Sequence, residues 1–149
     1  MVSARVERTY PVDVATMWSL WTQPEHLARW FRPSLAEYGP TVATMDLRPG
    51  GAYRIEMVHS SGAVHAVSGV VVASEEPVRL ALTWRWDGGD NESLVEVTFS
   101  AAGDGRTRVL VVHDRLLDAD DAARHSQGWV ACLTSLQEST GTRTTGEGT

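Results

Sequence analysis

DADDAARHSQGWVACLTSLQES, residues 118–139, carries its apolar side chains at helical spacing. Ala122, His125, Trp129, Cys132, Leu133 and Leu136 fall on one stripe, the pattern of an amphipathic helix with one face to bury. Asp118, with Asp121 three residues on, resembles a capping box and sets the start at about residue 119. The stripe then runs unbroken, so the spacing predicts one helix of about five turns over 119–138.

A helix with a buried face needs a surface to lie on, and the preceding residues supply a sheet. From about residue 41 to 114 the period changes to two. Turn signals at PGG (49–51), SSG (60–62), EEP (75–77), DGGD (87–90) and AGDG (102–105) cut this stretch into strands. Tyr53, Ile55 and Met57 oppose Arg54 and Glu56. Leu80, Leu82, Trp84 and Trp86 oppose Arg79, Thr83 and Arg85, and Val109, Val111 and His113 oppose Leu110 and Val112. Short connections imply antiparallel hairpins in one meandering sheet.

Upstream, residues 2–10 alternate as a further strand that Pro11 ends. Val14, Met17, Trp18 and Trp21 then fall at helical spacing, with Asp13 as the N-cap. Pro24 opens a second short helix, PEHLARWF, whose apolar positions are Leu27, Trp30 and Phe31. The class is therefore α+β: about seven antiparallel strands, two short helices after the first, and a long helix at the end. Residues 1–138 form the domain. The remainder, STGTRTTGEGT (139–149), has nothing apolar to bury and reads as a disordered polar tail.

Composition narrows function by exclusion. The 149 residues are 42% hydrophobic and 21% charged, with a net charge of −6. That sign is wrong for a nucleic-acid partner, whose phosphates favour a basic footprint. No apolar run reaches the roughly 18 residues of a membrane span, and MVSARVERTY lacks the apolar segment of a signal peptide. With a single cysteine, Cys132, no internal disulfide can form, which fits the cytoplasm. Monomer and dimer are both compatible with these data.

Five histidines invite a metal, yet none forms H-x-H or H-x-x-x-H, and one cysteine builds no thiolate site. His59 and His65 flank the SSG turn and read better as a solvated hairpin tip. G-x-S-x-G is absent, and RPGG lacks the lysine and helix start of a phosphate loop. No metal or cofactor is expected. One constellation remains. His125 and Trp129 lie one turn apart on the helix stripe, His113 shares parity with Val109 and Val111, and Glu96 shares parity with Leu94 and Thr98. A histidine and a carboxylate meeting in a dry pocket can act as general acid and base, so His113, His125 and Glu96 are the catalytic candidates. The competing reading is structural: His125 bonded to backbone at a rim, His113 satisfying a strand end, Glu96 on the wet face.

Four stretches carry a resemblance. They are V-x-x-x-W-x-x-W-T-x-P-E-H-L-x-x-W-F (Val14 to Phe31), D-L-R-P-G-G-x-Y (Asp46 to Tyr53), L-T-W-R-W (Leu82 to Trp86) and H-x-x-G-W-x-x-x-L-x-x-L (His125 to Leu136). In this order they resemble the heat-shock-protein-90 ATPase activator-like family of the START-like (SRPBCC, birch-pollen-allergen-like) superfamily. The resemblance implies a helix-grip fold, a curved sheet around the long helix, with a cavity between them that takes an apolar ligand. Trp18 and Trp21 would close one end as core, and Trp30 would sit near the mouth. With parity, the implied lining is Trp30, Tyr53, Met57, Val67, Trp84, Val111, His113, His125, Trp129 and Leu133.

Three functions follow as expectations. The first is binding of a small, largely apolar or aromatic molecule. The second is an enzyme, such as a cyclase, dehydratase or hydrolase, acting on a polyketide-like or aromatic metabolite in the same cavity. The third is a chaperone-associated module, ranked last because no extra domain or linker for a large partner is expected. Gly128 bears on the choice. A glycine inside a helix costs about 0.5–1 kcal/mol relative to alanine, so something should need the space, either a strand backbone or a ligand.

Overall fold

Alternation and turn chemistry translate directly into the sheet. The structure, a computed structural model, describes residues 2–142. Its strands are β1 (Val2–Tyr10), β2 (Val42–Met45), β3 (Ala52–Val58), β4 (Val64–Glu75), β5 (Arg79–Trp86), β6 (Ser93–Ala101) and β7 (Thr107–Leu116). They form one curved antiparallel sheet in the order β1-β7-β6-β5-β4-β3-β2, so β1 joins β7 and every other neighbour is a hairpin partner. Parity holds in β3, β6 and β7, whereas Ala66 and Val67 of β4 and Leu80, Ala81 and Leu82 of β5 are buried in succession. Tyr53, Ile55, Met57, Trp84, Val109, Val111 and His113 are buried, while Arg54 turns outward to an ion pair with Asp87 at 2.7 Å.

Between β1 and β2 lie α1 (Val14–Thr22) and α2 (Pro24–Trp30). Asp13 caps α1 by accepting from the Thr16 N–H at 2.9 Å, and Pro24 occupies the first turn of α2, where no N–H is needed. The long helix α3 (Ala119–Gln137) packs against β1 and β7. The Tyr10 hydroxyl donates to the Leu133 carbonyl at 3.0 Å, and Ser135 donates to the Arg32 carbonyl at 2.8 Å. These bonds tie the helix to β1 on one side and to the segment after α2 on the other. Glu138–Thr142 continue α3 as a π-helical turn, whereas 143–149 of the expected polar tail lie outside the described residues. No helix among the described residues is long and apolar enough to cross a membrane.

Aromatic side chains fill one end of the grip. Trp21 meets Trp30 at 4.8 Å and Phe99 at 6.0 Å, edge on, and stacks on Trp129 of α3 at 6.1 Å. Trp18 closes on Phe99 at 5.8 Å. Such rings bury roughly 150–250 Å² each, so α1 and α2 act as an apolar plug between helix and sheet.

Candidate functional site

Beyond the plug, α3 and the sheet diverge and leave an open cleft of about 430 Å³. The helix contributes Asp121, Arg124, His125, Gly128, Trp129 and Cys132, whose spacing puts them on one face. The sheet contributes Met57 from β3 and Trp84 and Trp86 from β5, and Phe31 and Pro33 close the side below α2.

Of the lining expected from sequence, Met57, Trp84, His125 and Trp129 border this cleft. Trp30, Tyr53, Val67, Val111 and Leu133 point inward as expected but are packed as core instead. Their depth explains this. Trp30 lies in the plug with its indole N–H donating to the Leu20 carbonyl at 2.7 Å, and the next residue, Phe31, takes the position at the mouth. The Tyr53 hydroxyl is consumed by the Thr83 carbonyl. Glu96 does not approach the histidines, because its parity puts it on the outer face, where it pairs with Arg79. His59 turns to Ser61 within its own hairpin.

Pro33, Asp121 and Arg124 were not legible as site residues, whereas Gly128 was marked as needing space without a means of telling strand from ligand. Trp86 and Cys132 carried a signal, the shared parity with Trp84 and the shared stripe with Trp129, without a reason to prefer cleft over core.

Two tryptophan–histidine pairs set the chemistry. An indole N–H only donates, so the nitrogen it meets must be the unprotonated one. Trp129 donates to Nδ1 of His113 at 3.0 Å. The proton of His113 is therefore on Nε2, where it is donated to the Ser93 hydroxyl at 2.7 Å, and Ser93 passes its own to the Trp84 carbonyl. His113 is fully buried, and burial, reinforced by the neighbouring His125, pushes its pKa down to about 3. It is a neutral imidazole with both nitrogens engaged.

His125 stands 4.6 Å away, ring centre to ring centre. Trp86 donates to its Nε2 at 3.0 Å, so its proton is on Nδ1 and goes to the Asp121 carbonyl oxygen at 2.9 Å. The Asp121 carboxylate is also close, 3.3 Å from Nδ1. Burial opposes ionisation of Asp121. The Leu117 N–H, His125 and Arg124 outweigh that and hold its pKa below the ordinary value. Of the three catalytic candidates, only His125 reaches the cleft wall. Trp84, on the same wall, has a buried indole N–H that meets no acceptor among the described residues. No group of three or more His, Cys, Asp or Glu side chains that could hold a metal occurs among them either.

Solved structures share this architecture. The AHSA1 protein from Silicibacter pomeroyi is similar at 24% identity, with 93% of this chain and 96% of that one covered and a TM-score of 0.77. CalU16 from Micromonospora echinospora is 26% identical over 90% of this chain and 73% of its own, with a TM-score of 0.69. DynU16, a protein of the dynemicin biosynthetic locus, is 21% identical with a TM-score of 0.74, covering 91% of this chain and 46% of that one. Among curated protein sequences none matches. The family model described as Activator of Hsp90 ATPase homolog 1-like protein matches residues 11–141. With that match over a seven-stranded grip on one long helix, the chain belongs to the Activator of Hsp90 ATPase homolog 1-like family, of the SRPBCC type.

Proposed function

We propose that this chain holds a small, largely apolar, aromatic molecule in the cleft between α3 and the sheet. Gly128 is the observation that carries this reading. A Cβ added at Gly128 meets no atom within 4 Å, so no strand backbone presses on the helix there. The helix forgoes about 0.5–1 kcal/mol of stability for space that opens onto the cleft. Around that space Phe31, Met57, Trp84 and Trp129 present apolar and aromatic surface. Its volume of about 430 Å³ suits a small molecule, whose sites span roughly 300–1,000 Å³. Membership of a family whose members bind ligands supports the reading further.

The test separates stability from binding. Gly128→Ala should raise the melting temperature slightly, because it removes the helix penalty without a clash. Gly128→Leu should stay folded, fill the cleft and weaken binding of 8-anilinonaphthalene-1-sulfonate at least about tenfold, the equivalent of roughly 1.4 kcal/mol. Unchanged probe affinity in a folded Gly128→Leu protein would remove the cleft as the binding site.

A second reading, an enzyme acting on such a molecule, is favoured by His125, whose ring Asp121 orients at the cleft wall. DynU16, similar in fold, belongs to a biosynthetic locus. Under this reading His125→Gln lowers turnover of a cleft-bound aromatic substrate by about 10²–10⁴, whereas in a binder it lowers affinity alone.

A further inference from the structure

The two tryptophan–histidine pairs differ in one respect that bears on the ligand. In the inner pair, Trp129 and Ser93 occupy both nitrogens of His113 inside the core. In the outer pair, Trp86 is only half-buried, and both Trp86 and His125 border the cleft. Asp121 holds His125 from its far nitrogen, Nδ1, so the ring cannot turn without losing that bond. The Nε2 lone pair is thus a fixed acceptor at the cleft wall, and the group on it is a replaceable indole.

The position of this bond adds a second observation. Trp86, Asp121 and His125 also line a neighbouring cleft of about 490 Å³, whose other residues include Asp90, Asn91 and Ser93. The Trp86–His125 hydrogen bond therefore lies between an aromatic cleft and a more polar one.

We propose that the molecule taken by the cleft is a hydroxylated aromatic, a phenol or enol, whose O–H replaces the Trp86 indole on Nε2 of His125. This rests on the cleft being a ligand site. A neutral imidazole nitrogen without its proton accepts and cannot donate. A ligand offering only lone pairs, such as an ether, would face Nε2 lone pair to lone pair and leave a buried acceptor unmatched. A phenolic O–H is a more acidic donor than an indole N–H, and it brings its own aromatic ring to the Phe31, Trp84 and Trp129 walls. The Asp121 carboxylate beside Nδ1 strengthens Nε2 as an acceptor. The released Trp86 opens the neighbouring cleft to whatever substituents the ring carries.

The test uses 2-naphthol, its methyl ether and naphthalene, titrated calorimetrically into the wild-type protein. Apolar transfer alone ranks naphthalene above naphthol, so a hydroxyl preference cannot come from burial. Naphthol should bind about tenfold tighter than either other probe. In proton–nitrogen correlation spectra the Trp86 indole resonance, assigned by its loss in Trp86→Phe, should move on saturation with naphthol but not with the ether. The Trp129 indole resonance should keep its hydrogen-bonded position. His125→Phe, which keeps a ring and removes the acceptor, should bring the three affinities within about twofold. Equal binding of naphthol and its ether by the wild-type protein, or an unmoved Trp86 resonance, overturns this inference and leaves the cleft intact as a ligand site. Failure of all three probes to bind overturns both. The wild-type comparison decides the matter even if a variant does not fold.

Discussion

His113 is a histidine that the fold keeps uncharged. Its ordinary pKa of 6.5 falls to about 3 because burial excludes the charged ring and His125 stands beside it. The sign of the consequence follows from linkage. Below pH 6.5 the unfolded chain takes up a proton that the folded chain refuses, so protonation favours unfolding. The stability tied to the neutral ring is complete above about pH 6.5 and declines as pH falls toward 3. The slope is at most about 1.4 kcal/mol per pH unit. Urea unfolding at a series of pH values between 4 and 7 should show this slope in wild type and a flatter one in His113→Phe. The neutral ring also explains why Trp129 can be both wall and core. Its indole N–H is fixed by His113 Nδ1 while one face of its ring borders the cleft. Trp129→Ala would remove that bond together with the packing on Trp21 and Phe31, so its cost belongs with buried aromatics, about 3–5 kcal/mol.

Strand β4 shows how an element can be set by a single missing side chain. Gly69 pairs with Tyr53 of β3, and a Cβ there would lie 2.3 Å from the Thr83 carbonyl oxygen on β5. Thr83 has little freedom to give way. Its hydroxyl accepts from the Val70 N–H at 2.9 Å, and its carbonyl accepts from Tyr53. Gly69→Ala should therefore cost about 1–3 kcal/mol as overpacking, read as a lowered denaturant midpoint with an unchanged slope. This is the reverse of the gain expected at Gly128, although both glycines sit within regular elements. Periodicity does not tell them apart, since each only interrupts a pattern. What separates them is the atom opposite. The start of α3 gives a similar lesson. Asp118 caps it as expected, accepting from the Asp121 N–H at 2.9 Å. The Asp121 carboxylate, however, reaches back to the Leu117 N–H rather than to Asp118, and so stays close to His125.

At the scale of the molecule, helix, plug and sheet share one core, and Cys132 reports on its integrity. The thiol lines the cleft floor yet is nearly inaccessible, and burial pushes its pKa up to about 12. Neither access nor thiolate is present in the folded state. Its reaction with an aromatic disulfide reagent should therefore follow the rate or extent of opening of the domain. A cleft ligand should slow it further, in proportion to 1 + [L]/Kd when opening is in fast exchange. Rapid labelling of the native protein, unaffected by 2-naphthol, would show that the helix lifts from the sheet without ligand control.

Local physics made most of this fold readable from the sequence. Alternation in β3, β5 and β7, the 3.6-residue stripe of α3, the Asp13 and Asp118 caps and the turn residues all depend on neighbours within a few positions. They determined seven strands, three helices, their order and the inward faces of β3, β5 and β7. Parity, however, assigns a face and not a depth. Tyr53 and Met57 share one face of β3, yet only Met57 reaches the cleft, because depth depends on how far the aromatic plug of α1 and α2 extends along the helix. Glu96 found Arg79 on the next strand, not a histidine. Trp86 meets His125 across 39 residues, and no local pattern encodes which indole donates to which ring. The cleft, and the neutral state of His113 behind it, arise where distant elements meet, so only the tertiary structure decided them.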